Sequence, residues 1–156
     1  MLEISNITKT FNPGTVNAKT ALKDLSLKVN KGDFITIIGA NGAGKSTTLK
    51  AICGICKPYR GKVKVFGKPV EKYKSAELFG GCLAMLPQDP KSLFVKKTVR
   101  EDLAEMTKDE KRIAEIAAVC EIESLLSSHP YDLSGGEQQR AALAKVLLTE
   151  PRLLLL

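Results

Sequence analysis

The spacing of apolar and polar side chains changes along the chain, and it predicts an antiparallel start followed by α/β units. Residues 2–5 and 25–30 alternate, as half-buried strands do, and 30–33 reads as a turn. Residues 34–38 form a continuous apolar, β-branched run, which is typical of a strand buried on both faces of a parallel sheet. A glycine-rich stretch and a helical pattern at 45–53 follow directly.

The rest of the chain interleaves further predicted strands and helices. In chain order they are a strand at 62–66, a helix at 71–79, a strand at 82–86, helices at 98–106, 109–119 and 134–149, and a strand at 153–156. The helix at 134–149 has the clearest pattern, because Leu143, Val146 and Leu147 share one face and Pro151 stops it. The order predicts an α/β fold.

Composition and charge are those of one globular domain. The chain has 156 residues and a net charge of +7, from 24 Lys and Arg against 17 Asp and Glu. The basic residues are spread along the length without a run of five, so charge gives little reason to expect a nucleic-acid partner. No apolar run approaches the roughly 18 residues that span a bilayer. We expect no membrane-crossing segment.

The four cysteines raise the question of a metal site or a disulfide. Cys53 and Cys56 form a CxxC pair, but Cys82 and Cys120 do not supply the second pair that a four-ligand zinc site needs. The pattern favours reduced thiols in a cytosol.

The string Gly39–Thr47, GANGAGKST, has the layout of a phosphate-binding loop. A loop that opens a helix directs backbone N–H groups and the positive helix end at one point, and glycines allow close approach. Lys45 can reach the β and γ phosphates, and the Ser46 hydroxyl can ligate Mg²⁺. A turn that only caps a helix would leave the lysine and the hydroxyl unexplained. The predicted nucleotide contacts are Gly39, Asn41, Gly42, Ala43, Gly44, Lys45, Ser46 and Thr47.

A second string, Leu133–Arg140 (LSGGEQQR), begins the helical pattern at 134–149. Ser134 and Glu137 have the spacing of a capping box, so a well-capped helix is one interpretation. The whole string resembles the signature motif of ATP-binding cassette (ABC) proteins. Together with the phosphate loop and Gln88 after a predicted strand, it makes the chain resemble the nucleotide-binding subunit of an ABC transporter.

That resemblance implies a fold and a partner. The fold would be a P-loop NTPase (ABC ATPase) core with an antiparallel β subdomain and a helical subdomain at about 90–140, in one partial domain over 1–156. In the family, two subunits sandwich two ATP molecules. Ser134, Gly135, Gly136 and Glu137 would then face the ATP held by the phosphate loop of the other subunit, which implies a homodimer or heterodimer.

Two single residues gain roles from the same resemblance. Gln88 falls at the family's Q-loop glutamine, which touches Mg²⁺ and the attacking water and senses the membrane subunit, so we expect it to be catalytic. Phe11 falls where an aromatic residue stacks on adenine, although a core aromatic at a strand end is an alternative. His129 precedes the signature and is expected to be a surface loop residue.

The implied function is ATP binding and hydrolysis that drives solute import through partner membrane permease subunits, from the cytoplasmic face of the cell membrane. Residues 6–25 resemble uptake systems for amino-acid-like solutes, and 85–103 resemble energy-coupling-factor ATPases. A non-transport ABC ATPase of translation or DNA maintenance is an alternative, and so is a truncated remnant that hydrolyses nothing. No nucleic-acid partner is expected.

The sequence stops at Leu156, where the family places its Walker B strand. The aspartate, glutamate and switch histidine that follow in the family are not in these 156 residues. The family also inserts its next strand between the Walker A and Walker B strands. We therefore expect the 156-residue chain alone to be incomplete at its C-terminus, poorly folded and inactive as an ATPase.

Overall fold

The computed structural model describes all 156 residues, which form two compact units, Met1–Lys74 and Ser75–Leu156. The first unit contains β1 (Leu2–Phe11), β2 (Lys19–Val29), α1 (Lys45–Ile52), β3 (Arg60–Val65) and β4 (Lys68–Pro69). The second contains α2 (Ser75–Glu77), β5 (Leu83–Met85), α3 (Val99–Leu103), α4 (Glu110–Val119), α5 (Gly135–Leu147) and β6 (Leu153–Leu155). Short 3₁₀ turns lie at Val70–Lys72, Pro90–Leu93, Glu123–Leu125 and Pro130–Asp132.

An antiparallel sheet of order β2-β1-β3-β4 builds the first unit. Leu2 lies opposite Val29 on one side and Val65 on the other, and all three side chains are buried. The predicted antiparallel start is therefore confirmed. Strands β1 and β2 run further than 2–5 and 25–30, because register shifts let the pairing continue past Ile4.

The predicted buried strand at 34–38 is wrong. These residues belong to neither sheet and carry no regular structure. Phe34 is 90% exposed and Ile38 is 89% exposed. An apolar run becomes a strand only when another segment supplies the cross-strand hydrogen bonds, and no segment of the described chain pairs with this one.

Helices α3, α4 and α5 surround an apolar cluster in the second unit. Its buried members are Phe94, Val99, Leu103, Ile113, Ile116, Ala117, Cys120, Ile122, Leu133, Ala141, Ala142, Ala144 and Leu148. The predicted helices at 109–119 and 134–149 are confirmed, and the one at 98–106 is present but shorter. None of the helices has the length and apolar character needed to span a membrane.

The predicted strands at 82–86 and 153–156 are also confirmed. They form a parallel pair, β5 with β6, in which Leu83 lies opposite Leu153. The predicted helix at 71–79 breaks into a 3₁₀ turn, the short α2 and a distorted turn at Leu78–Cys82. The pattern is interrupted first at Tyr73, whose ψ of 141° is extended, and the second turn is distorted at Gly81, whose φ of 96° is left-handed.

Candidate nucleotide-binding site

The N-terminus of α1 has no cap of its own. Gly44 precedes the helix with φ of 94°, no side chain caps the end, and the first turn contains no acidic residue. The first helical bond runs from Thr48 N–H to the Gly44 carbonyl at 2.8 Å. The N–H groups of residues 45–47 therefore have no helical acceptor, and the positive helix end is left for an anion.

Gly44 is required at this position for two reasons. Its backbone is left-handed, which L side chains rarely adopt. A Cβ there would also lie 2.4 Å from the Ala21 carbonyl oxygen and 2.9 Å from Leu22 Cδ2. The start of α1 therefore lies directly against β2, in a position that only glycine allows.

The other phosphate-loop residues surround this helix end. Lys45 Nζ donates to the carbonyls of Gly39 (2.6 Å) and Ala40 (3.0 Å), so the ammonium group lies over the loop backbone. Asn41, Gly42, Ala43 and Ser46 are exposed, and Thr47 is half-buried. A phosphate oxygen in place of the two carbonyls would satisfy the same ammonium donors. These residues fit a bound triphosphate.

Lys19, a residue that the sequence analysis did not single out, reaches the same loop. Its Nζ lies 3.6 Å from the point where a Cβ of Gly42 would be. Lys19 begins β2 and pairs with Phe11 at the end of β1. Phe11 is 42% exposed, with Lys9 Nζ 5.3 Å from its ring centre, so it is not a buried core aromatic. Its stacking on adenine stays a prediction.

The signature forms the start of α5, in the second unit, and its capping box is present. Ser134 Oγ accepts from Glu137 N–H at 3.4 Å, and Glu137 Oε2 accepts from Ser134 N–H at 2.8 Å. Hydrogen bonds from the side chain and backbone of Ser134 lower the pKa of Glu137. A Cβ on Gly135 or Gly136 would meet nothing within 4 Å. Local packing therefore gives no reason for either glycine.

Gln88 is exposed, in the turn between β5 and the 3₁₀ turn at Pro90–Leu93. Asp89 beside it caps that turn by accepting from Lys91 N–H at 3.1 Å. No group of three or more His, Cys, Asp and Glu side chains is placed to hold a metal ion. Magnesium ligation by Ser46 and Gln88 stays a prediction. His129 is exposed in a turn, as expected.

Two charged residues that the sequence analysis missed are buried in the second unit. Asp102 on α3 is 0% exposed and Lys145 on α5 is 7% exposed. Their pattern was visible: Lys145 follows Ala141 and Ala142 on the apolar face of one helix, and Asp102 lies between Val99 and Leu103 on another. Opposite charges on two apolar faces are a signal for a buried pair.

Comparison with known families identifies the chain. The family model described as ABC transporter matches residues 22–156. The chain belongs to the ABC transporter family. The resemblance drawn from the phosphate loop, Gln88 and the signature is thereby confirmed.

The chain is similar to individual ABC proteins over nearly its whole length. The chain is 32% identical, over 99% of its length, to the energy-coupling factor transporter ATP-binding protein EcfA1 of Mycoplasmopsis synoviae. The dimeric structure of MJ0796, a bacterial ABC transporter cassette, is 30% identical with a TM-score of 0.86 and 99% of this chain covered. CbiO1 of Clostridium perfringens, part of the ABC transporter complex cbiONQ, is 26% identical with a TM-score of 0.77 and 98% covered.

The fold is that of the ABC ATPase cassette, a P-loop NTPase with antiparallel and helical parts. The chain spans 60% of the length of EcfA1, and 72% and 63% of the two solved chains. The phosphate-loop residues come together in the first unit, and the signature residues come together in the second.

Proposed function

We propose that this chain is the ATP-binding part of an ABC importer subunit, whose reaction is the hydrolysis of ATP to ADP and phosphate. The observation that carries the proposal is the uncapped N-terminus of α1, where Gly44 and Lys45 leave room and positive charge for a triphosphate. Membership in a family of ABC transporters supports it. The solved cassette MJ0796 has also been seen bound to ADP and Pi.

The residues have distinct tasks in this proposal. The first-turn N–H groups of α1 and Lys45 would hold the β and γ phosphates. Mg²⁺, if bound, would be held by Ser46 and Gln88 together with the phosphates, and it would neutralise charge on the transferred group. Gln88 would also orient the attacking water. Phe11 would stack on adenine.

The geometry of the signature leads us to include a second subunit in the proposal. Gly135 and Gly136 have open space around them and a helix end behind them, so another molecule can approach their amides closely. We infer a dimer in which Ser134 and the amides that follow it contact the nucleotide of the partner subunit. MJ0796 was solved as a dimer, which supports this arrangement.

Import through membrane permease subunits is the direction that the relatives favour. EcfA1 is named for an energy-coupling factor transporter, and CbiO1 is part of a transporter complex. A peripheral position on the cytoplasmic face of the membrane follows from this role. We further propose that 1–156 is a single partial cassette domain whose helical subdomain covers about 90–140.

The test is nucleotide affinity, measured by titration of a fluorescent ATP analogue. Lys45→Ala should weaken binding by about tenfold or more, because a charge-assisted hydrogen bond contributes about 1.5–3 kcal/mol. Lys50→Ala is the matched control, since Lys50 is an exposed lysine in the last turn of the same helix. Equal affinities for parent and Lys45→Ala would reject the assignment of this loop.

A further inference from the structure

Asp102 and Lys145 form an ion pair inside the second unit. Lys145 Nζ lies 2.6 Å from Asp102 Oδ1, and the two side chains are 8% and 0% exposed. The residues lie 43 positions apart in sequence, one on α3 and one on α5. The pair therefore joins the helix that begins with the signature to a helix that follows the Q-loop region.

The same pair holds a stretch of backbone between those helices. Lys145 Nζ donates to the Leu93 carbonyl at 2.7 Å. Asp102 accepts from Val95 N–H at 3.1 Å through Oδ1 and from Lys96 N–H at 3.2 Å through Oδ2. The Phe94 side chain, 5% exposed, packs in the apolar cluster. Residues 93–96 are thus held by three hydrogen bonds to the Asp102–Lys145 pair, by the buried Phe94 side chain and by a partly exposed ion pair of Lys96 with Glu105 at 2.8 Å.

This stretch follows Gln88 closely. Only residues 89–92 lie between Gln88 and Leu93, and Asp89 caps the 3₁₀ turn that contains most of them. Val95 is nevertheless 71% exposed, so apolar burial does not explain why its backbone is held. Burial holds the stretch at Phe94, and Asp102 holds the Val95 and Lys96 amides beside it.

Stability alone is a poor reason to keep such a pair. Removing two charges from water costs several kcal/mol for each ion, and replacement by apolar residues of similar volume is often neutral or stabilising. Here both side chains also form hydrogen bonds with backbone groups of residues 93–96. Placement of that segment is what the pair provides and an apolar substitute would not.

We propose that Asp102 and Lys145 are positioning residues, which tie the segment after Gln88 to the last turn of α5 and so, through that helix, keep it in one rigid body with the signature at the start of α5. The inference rests on the proposed ATPase function. A displacement at Gln88 is then passed to Ser134, Gly135 and Gly136 rather than absorbed by the loop between them. The pair thereby sets where the signature meets the nucleotide of the partner subunit.

The main test variant is the double substitution Asp102→Leu with Lys145→Met, made in the subunit as its gene encodes it. Lys145→Met alone would leave a buried carboxylate without its countercharge and could unfold the second unit. The double variant removes both charges together and leaves no buried charge without a countercharge, so we expect the second unit to stay folded, with cooperative thermal melting as the check. Arg100→Ala is the matched control, because Arg100 makes an exposed ion pair with Glu110 from the same helix α3.

Two measurements are made on each variant. Hydrogen exchange of the Val95 and Lys96 amides should be slow in the parent and in Arg100→Ala, and fast in the double variant. The affinity for ATP should stay within about twofold of the parent, while kcat for hydrolysis falls about tenfold, because the misplaced signature acts only on the partner's nucleotide. A fall in kcat at unchanged affinity is the mark of positioning.

Three results would overturn the inference. One is slow exchange at Val95 and Lys96 in the double variant. Another is fast exchange with parental kcat, which would make the pair structural only. A third is a parallel loss of affinity and kcat, which would indicate general damage. A parent subunit that neither binds nor hydrolyses ATP would instead reject the proposed function, and the exchange data would still show whether the pair holds residues 93–96.

Discussion

Helices α1 and α5 both begin with glycine-rich strings, but their N-termini are completed in opposite ways. The end of α1 has a left-handed Gly44, no side-chain cap and no acidic residue. The end of α5 has a complete capping box, with Glu137 in its first turn. An anion at α1 meets only positive charge, whereas an anion at α5 shares the helix end with a carboxylate.

This difference indicates a division of work. The bare end of α1 can bind phosphate by itself, since its N–H groups have no competing acceptor. The end of α5 already satisfies part of its own hydrogen bonding, and it keeps only the open approach to Gly135 and Gly136. Under the proposed function, α1 binds the nucleotide of its own subunit and α5 adds contacts when a partner presents one.

The largest expected effect is a loss of stability when the N-terminus of α1 is altered. Gly44→Ala should lower the free energy of unfolding by about 3 kcal/mol or more, because left-handed strain adds to a clash with the Ala21 carbonyl. Gly14→Ala is the control: its φ is 79°, but no atom lies within 4 Å, so only about 1 kcal/mol of strain is expected. Denaturant unfolding measures both. Equal losses would show that the contact with β2 is not important.

The next effect concerns the cap of α5. Ser134→Ala should cost about 1 kcal/mol of unfolding free energy, because the Glu137 amide loses its acceptor. Thr98→Ala should cost a similar amount, since Thr98 and Glu101 form the same box on α3. Chemical denaturation of the two variants and titration with an ATP analogue test the division. Loss of nucleotide binding in Ser134→Ala would place the signature in the subunit's own site.

A smaller effect, of opposite sign to Gly44→Ala, is expected at the signature glycines. Gly135 and Gly136 have ordinary helical backbone and open space, so alanine at either position should stabilise the chain by about 0.5 kcal/mol. The same substitutions should weaken ATP-driven dimerisation, because the added methyl group stands where a partner approaches. Melting temperature and light scattering give the two readouts. Destabilisation by either alanine would mean that the glycines serve the fold.

The smallest effect is the pH dependence of the α5 cap. Hydrogen bonding from Ser134 lowers the pKa of Glu137 from 4.5 in the folded chain. The stabilisation that this brings is fully present above the unfolded pKa and is lost as pH falls through the lowered, folded pKa. Thermal melts of parent and Glu137→Gln from pH 7 to pH 3 should therefore converge at the acid end. A constant difference across that range would contradict the assignment.

The helices that were predicted correctly from the sequence have signals within their own residues, namely helical periodicity and N-terminal caps. The helix at 109–119 shows its period and its Asp109 cap within a few residues, and the capping box of α5 is equally local. The strand at 34–38 was wrong because its state depends on a neighbour, which no pattern within the run reveals. The predicted helix at 71–79 is interrupted at Tyr73, whose extended backbone is not signalled by the residues around it.

The residues of the candidate site also fall into two groups, those that the sequence revealed and those that it did not. The phosphate loop and the signature are continuous strings, so their residues were found. The roles of Lys19 and Lys145 come from contacts with distant residues, Lys19 with the phosphate loop and Lys145 with Asp102. A charge on an apolar helix face was a usable signal for Lys145, although it was missed, whereas no neighbouring residue gave a signal for Lys19. A single sequence does not show which residues far apart along the chain come into contact.

The exposed run at 34–38 has a practical consequence for anyone who purifies this chain. Its sequence, Phe-Ile-Thr-Ile-Ile, has high β propensity and neither charge nor proline, which is the composition of segments that stack between molecules. In the 156-residue chain by itself Phe34 and Ile38 are open to solvent, so concentrated solutions of that chain should aggregate through this run. Thr36→Lys, at the centre of the run, should delay that aggregation by placing like charges on each added strand.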